Sequence, residues 1–220
     1  IHQHLNAFRP GSQWSAADER EGRLRFQELR DPDYAYERFS SPPRVNGTAV
    51  TVEYPLSPDS TVVRFALPLA LAPGDSITVE FAWTARPSTV ARRQARRGRS
   101  FDFAQWYPKV AVYDRDGWKP NALVPAGEFY GEFGAFDVTL VLPADQTIGA
   151  TGVPVSGDPG YARVMASGSE RPRLAAQAYR DLPAAPTVRV PTGYKSVRFI
   201  ARNVHHFAWS TSPGFRYEGT

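Results

Sequence analysis

The residues of this 220-residue chain that could do chemistry are four histidines, a few paired carboxylates and a run of arginines. A catalytic zinc site needs three protein ligands and an open position, often with two His one helical turn apart. The histidines are His2, His4, His205 and His206, and no HExxH occurs. On a strand His2 and His4 would share a face and could chelate, whereas His205 and His206 would point oppositely, so one at most could join them. No metal site is therefore expected within the chain, and the histidines read as ordinary surface or hydrogen-bonded residues. Asp114-Arg115-Asp116-Gly117 lacks the spacing of a calcium loop and predicts a hairpin turn. Glu128 and Glu132 flank Tyr130-Gly131, and such a pair can do acid–base work. Gly127, Gly131 and Gly134 imply an irregular backbone there, which favours a structural role. GxSxG, cysteine nucleophiles and phosphate-cradling glycine patterns are absent from the sequence. Asn46-Gly47-Thr48 matches a glycosylation sequon, but Asn-Gly is first a tight-turn signal.

Arg92, Arg93, Arg96, Arg97 and Arg99 lie close together, and removing those five from the net charge of +4 leaves the rest at −1. The basicity is thus a local feature. Such a run could meet phosphate or an anionic membrane surface. No aromatic residue interleaves the arginines in sequence, so a solvated, mobile loop is expected instead. No nucleic-acid partner is expected.

Aromatic residues cluster in FDFAQWYPKVAVYDRDGW (101–118) and GEFYGEFGAFD (127–137). Most of these side chains must be core, given the apolar area each buries. Gln105, Glu128 and Glu132 sit among them. A polar group in an aromatic setting is either hydrogen-bonded structure or the rim of a ligand site, and the pattern leaves both open.

The elements that would position these groups are strands. TAVTVEYPL (48–56), TVVRFALPL (61–69) and SITVEFAW (76–83) alternate apolar and polar residues, with turns at Pro58-Asp59 and Pro73-Gly74-Asp75. FDFAQWY (101–107), KVAVYD (109–114), AFDVTLVLP (135–143), YARVMAS (161–167), TVRV (187–190) and SVRFIAR (196–202) continue the pattern. The only helical stretch of weight, SAADEREGR (15–23), offers Ser15 as a cap and little apolar face, so it reads as a short surface turn. Segments 85–100 and 167–186 read as loops. The sum is an all-β domain, a mainly antiparallel sheet or sandwich with long loops and little helix. With 42% hydrophobic residues the chain can bury a core, and its charge and aromatic content exclude disorder. No apolar run reaches a membrane-span length and no signal-peptide pattern is seen. The start at Ile1, already reading like a strand interior, predicts a piece of a longer protein.

HQHLNAFRPGS (2–12), LALAPGDSITVEFAW (69–83), QWYPKVAVYDRDGW (105–118), GEFGAFDVTLVLP (131–143), GATG (149–152) and NVHHFAWSTSPGF (203–215) occur in that order. Together they resemble the N-terminal β domain of bacterial zinc metallopeptidases of the aminopeptidase N family, the gluzincins that include leukotriene-A hydrolase. The resemblance runs over 2–217, and the blocks at 105–118 and 203–215 are its most specific parts. It implies one saddle-shaped β domain over 1–220, lacking its first strands, ahead of a catalytic domain that would follow Thr220. That second domain would carry HExxH, a further Glu, the zinc and the Gly-x-Met-Glu-Asn strand. No catalytic residue, metal ligand or cofactor is thus expected in this chain itself. The β domain would lend one Gln or Glu to the free amino group of a peptide substrate. Gln105 is the candidate, with Trp106, Tyr107 and Glu128 grouped beside it as substrate-contacting residues. Two features depart from the family pattern: His206 stands where an acidic residue is usual, and the arginine run has no counterpart. The implied partners are the peptide and the chain's own catalytic domain, in a bacterial parent that is exported or membrane-attached. The rival reading is a stand-alone β-sandwich binding or scaffold module for protein or glycan.

Overall fold

The computed structural model describes residues 1–26, 28–90, 92–126, 129–164, 182, 184–185 and 187–216. Glu128, most of the 167–186 segment and the end of the 161–167 stretch lie outside them. The fold is all-β, with mainly antiparallel pairing, long connections and little helix. It divides into two compact units, Ile1–Ala95 with Gln105–Glu132, and Arg96–Ala104 with Phe133–Thr220.

The first unit opens with a buried 3₁₀ turn, His4–Ala7, followed by helix α1, Gln13–Arg20. The cap of α1 is Ser12, whose Oγ accepts from the Ser15 amide at 3.0 Å, and not Ser15 itself. The Asp59 carboxylate accepts from the Gln13 amide at 2.7 Å, filling another orphan donor of the first turn. Ser15 and Asp18 are buried, so α1 is a packed helix whose inward face is polar. That is why an apolar-periodicity reading makes it a surface turn. Strand β1 (Tyr36–Phe39) pairs with β5 (Trp83–Arg86), with Glu37 opposite Ala85 and Phe39 opposite Trp83. Strands β2 (Arg44–Val45) and β3 (Thr48–Ala49) form a hairpin that β4 (Val79–Glu80) joins. Asn46 and Gly47, at φ 46° and 80°, make its two-residue turn, as the dipeptide predicts. Between β3 and β4 the chain is lightly paired: of the predicted strands 48–56 and 61–69, the isolated bridges Glu53–Arg64 and His2–Val62 hold the middle.

The chain then runs through β6 (Ala95–Arg97) and β7 (Ser100–Phe103), a hairpin of the second unit. It returns to the first unit for β8 (Tyr113–Asp114) and β9 (Gly117–Trp118). Asp114 Oδ1 accepts from the Asp116 amide at 2.9 Å, and Gly117 sits at φ 93°, so the Asp-Arg-Asp-Gly segment is the expected turn. The apolar core of this unit is Leu5, Ala7, Phe8, Phe26, Ala35 and Leu123, with Trp14, Trp106 and Phe129 packed against it.

In the second unit β10 (Gly134–Pro143) lies along β13 (Tyr194–Val204), and β12 (Val153–Ser156) covers the far edge of β13. Strand β11 (Thr147–Ala150) pairs with β14 (Trp209–Ser212), which pairs with β7. Phe199, Phe207, Val197 and Ile148 are fully buried here. Arg198 donates to both carboxylate oxygens of Asp137, at 2.7 and 2.5 Å, fixing β13 against β10. The stretch 161–167 is not a strand where it is described: Tyr161–Val164 is a helical turn, α2. The reason lies just upstream, where Gly160 adopts φ 93° and the Asp158 carboxylate accepts from its amide at 2.8 Å, bending the chain out of extension.

Gly152, at φ 84°, crosses the backbone of β13 so closely that a Cβ would lie 2.2 Å from the Ile200 carbonyl oxygen. Gly149 has open space around the same position. Gly152→Ala is therefore expected to lose at least ~3 kcal/mol of stability, while Gly149→Ala stays within ~1 kcal/mol. Urea unfolding of the two variants beside the parent chain checks this; equal midpoints would show that the close approach carries no energy.

Candidate functional site

The predicted strand 101–107 stops early, and this decides how Gln105 is presented. Strand β7 ends at Phe103, and Gln105 turns the chain at φ 54°, a left-handed conformation that non-glycine residues seldom adopt. Gln105 is buried, while Trp106 and Tyr107 are half-buried. The Trp106 ring lies 5.9 Å from that of Trp83 and meets Tyr107 edge-on at 5.7 Å. The Trp83 indole N–H donates to the Trp106 carbonyl at 3.2 Å, holding this segment against β5. The predicted trio Gln105, Trp106 and Tyr107 is thus brought together at one bend. Glu128, the fourth predicted contact, is outside the described residues, and Glu132 is exposed. The Gln105 carboxamide oxygen is buried at this bend, while Trp106 and Tyr107 are half-buried.

Behind it the N-terminal segment is buried polar chain, not surface. His2 exchanges backbone hydrogen bonds with Lys109, donating at 2.6 Å and accepting at 3.0 Å, and the Gln3 amide donates to Thr61 at 2.8 Å. The His2 and His4 rings stack at 4.7 Å, and His4 meets Phe129 edge-on at 4.9 Å. Of the two alternatives, surface or hydrogen-bonded, the surface one fails for His2 and His4, because strand pairing on both sides of His2 closes over them. Burial, with the Ile1 ammonium and Lys109 adding to it, lowers the His2 pKa to about 4, against a hydrogen bond to the Lys119 backbone. His2 is neutral at pH 7. Burial also lowers the Lys109 ammonium. Among the described residues, no group of three His, Asp or Glu side chains could hold a metal ion.

The residues that the sequence did not reveal are Asn6, Glu37 and Asp59. The Asn6 carboxamide donates to the Glu37 and Ser60 carbonyls at 2.8 and 2.9 Å and accepts from the Glu37 amide at 2.8 Å. Asp59 accepts from the Thr61 amide at 2.7 Å and from its hydroxyl. The Glu37 side chain is enclosed, and neither of its carboxyl oxygens completes a hydrogen bond among the described residues. Desolvation pushes its pKa well above the ordinary carboxylate range, opposed by the Leu5 amide. One signal could have found it: on β1 the period of two puts Glu37 on the face of Ala35 and Phe39, an inward position.

The arginine run is split. Ala95–Arg97 is strand, not loop, and Arg99 donates to Asp145 at 2.7 Å. Gln94 is buried and clasps Ser88, accepting from its amide at 2.7 Å and donating to its hydroxyl at 3.2 Å. Aromatic partners absent from the local sequence arrive from elsewhere: Arg92 lies over Trp14 at 5.8 Å and Arg93 over Phe129 at 5.3 Å.

Comparison with protein-family models, curated proteins and solved structures finds no match to this chain. Among the described residues no helix is long and apolar enough to cross a membrane.

The two buried titrating groups set opposite pH slopes. Burial raises the Glu37 carboxyl well above its ordinary 4.5, so its contribution is complete below 4.5 and lost as pH rises. His2 is depressed from 6.5 to about 4, so its contribution is present above 6.5 and lost as pH falls through 4, a change of about 3 kcal/mol. Glu37→Gln should flatten the decline that begins as pH rises past 4.5, and His2→Asn the decline between pH 6.5 and 4. Urea midpoints at pH 4, 6.5 and 8 decide; unchanged slopes in both variants would refute these assignments.

Proposed function

We propose that this chain is the non-catalytic N-terminal β domain of a zinc-dependent, aminopeptidase-like metallopeptidase. In this reading it covers one side of the active-site cleft and helps to recognise the free amino end of a peptide. The ordered motif blocks along 2–215, beginning with HQHLNAF and ending with NVHHFAWSTSPGF, support it. The observation that carries it is Gln105. Gln105 takes an uncommon backbone angle just before Trp106 and Tyr107, and its carboxamide oxygen, buried in this chain, would accept from an ammonium group once the side chain turns outward. Hydrolysis belongs to a catalytic domain with HExxH, where zinc would activate water and a Glu would act as base.

One specific observation favours the rival reading of a binding module. Tyr113 and Trp118 form an exposed cross-strand pair, edge-on at 5.0 Å, and the Tyr130 hydroxyl donates to Asp114 at 3.4 Å beside them. Exposed aromatics next to carboxylates suit glycan or protein contact.

Two measurements separate the readings. The coding DNA after Thr220 should continue into HExxH and a downstream Glu; a stop codon or an unrelated domain would end the peptidase reading. In the enzyme so encoded, Gln105→Ala should raise KM about tenfold for free-amino substrates while leaving N-acetylated ones unaffected, the loss of one hydrogen bond to a charge. The 220 residues alone should hydrolyse no aminoacyl-anilide.

A further inference from the structure

The long strand β10 lies at an open edge of the second unit. In its three-stranded sheet β13 runs between β10 and β12, so the 10 residues Gly134–Pro143 form an outer strand. The carbonyl oxygens of Ser196 and Ile200 point to the β12 side, where a Cβ at Gly157 or Gly152 would lie 2.1 or 2.2 Å from them. Successive residues of a strand address opposite neighbours, so Val197, Phe199 and Ala201 face β10. Their partners there are Leu140, Val138 and Phe136. The backbone N–H and C=O groups of Asp137, Thr139 and Val141 therefore face outward, and none has a hydrogen-bond partner among the described residues. Outer strands are usually blunted by lysine, proline or a bulge. On β10 the bulge at Gly134/Phe136 and Pro143 stand at the two ends, and 137–141 carries none of these. The charged side chain within that stretch, Asp137, is neutralised by Arg198 through both carboxylate oxygens. The other outer strands differ: β6 presents Arg96 and Arg97, and β12 has only four residues, one of them Pro154.

We propose that β10 pairs antiparallel with β10 of a second copy of this chain, about a two-fold axis at Thr139. Three features select that occupant. The outward groups of Asp137, Thr139 and Val141 fall on the hydrogen-bonded positions of this register, so each N–H meets a C=O of the second copy. Thr139 meets itself, a pair that is favourable across strands, and Asp137 meets Val141, so no like charges oppose each other. On the inner face Val138 meets Leu140 of the second copy, and the apolar layer continues across the axis. Moving the axis by two residues spoils the match: one way it sets Asp137 against itself, and the other way it sets Thr139 against Pro143, which has no N–H. The inference is independent of the peptidase reading, since neither Gln105 nor a catalytic domain takes part.

The test exploits the absence of cysteine from the chain. In the proposed register the two Cα atoms of residue 139 stand about 5.5 Å apart, within the span of about 4.4–6.8 Å that a disulfide bridges, and those of residue 141 lie far outside it. Under mild oxidation Thr139→Cys should run as a disulfide-linked dimer on a non-reducing gel, and Val141→Cys as a monomer. Sedimentation equilibrium of the 220-residue chain should show a reversible monomer–dimer equilibrium. Thr139→Lys, which opposes like charges, should weaken the dimer about tenfold or more, and Val141→Lys, which meets Asp137, less than about threefold. Melting temperatures verify that each variant folds; where Thr139→Lys does not, the two cysteine variants decide. A parent chain that stays monomeric at every concentration, no cross-link in Thr139→Cys, equal cross-linking of both cysteine variants, or equal weakening by both lysines would each overturn the proposal.

Discussion

Much of the first unit depends on one carboxamide. Asn6 sits in a 3₁₀ turn, and such a turn leaves backbone groups without partners in an interior that offers no water. Its side chain supplies what a neighbouring strand would: a donor for the Glu37 and Ser60 carbonyls and an acceptor for the Glu37 amide. Through those three bonds the N-terminal segment, strand β1 and the approach to Asp59 are held in one register. Asp59 then reaches the first turn of α1, and α1 presents Asp18 to Arg23 and Arg25. An apolar residue at position 6 would leave all three backbone groups buried and unpaired. The net value of the bonds is modest, but leaving them unmade is expensive, and that asymmetry makes the position structural.

The same polar interior explains the position of Gln105. His2 pairs with Lys109 on one side and Val62 on the other, so the block that starts at Gln105 is anchored four residues downstream of it. Within this segment the left-handed angle falls on Gln105. Trp106 and Tyr107 are then set by packing, with the Trp83 N–H holding the Trp106 carbonyl. The 105–107 segment is thus placed by its surroundings.

What was legible in the sequence follows from which forces are local. The long strands β10 and β13 are near-continuous runs of alternating side chains, and their pattern is enough to place them to within a few residues. The turns at Asn46-Gly47 and Asp114–Gly117 were legible for a similar reason, since positive φ or a carboxylate-to-amide bond needs particular residue types. Helix α1 was misplaced because its inward face is Ser15 and Asp18, and its energy comes from capping and ion pairs that periodicity does not register. Buried Glu37 was overlooked because the four-residue strand β1, Tyr36–Phe39, was not read as a strand. The histidines could be read only as surface or hydrogen-bonded residues, and the burial of His2 and His4 was not legible, because pairing on both sides of a segment is a tertiary fact. Of the site, the juxtaposition of Gln105, Trp106 and Tyr107 was available from adjacency alone, whereas the bend that presents them was not.

The charge makes the same point from the other direction. As a string, 92–99 is the densest block of cations in the chain and invites a polyanion partner. In the folded chain the block is not a unit: Arg92 and Arg93 lie on aromatic rings of the first unit, Ala95–Arg97 forms an edge strand of the second, and Arg99 pairs with Asp145. A basic strand at a sheet edge also discourages pairing with another chain, a use of charge that calls for no ligand. Guanidiniums can serve in all three settings because each combines a flat apolar face with a rim of donors. Lysines in the same places would keep the net charge but lose the flat face that Arg92 and Arg93 lay over Trp14 and Phe129, so the preference for arginine at those two positions follows from the surfaces it meets.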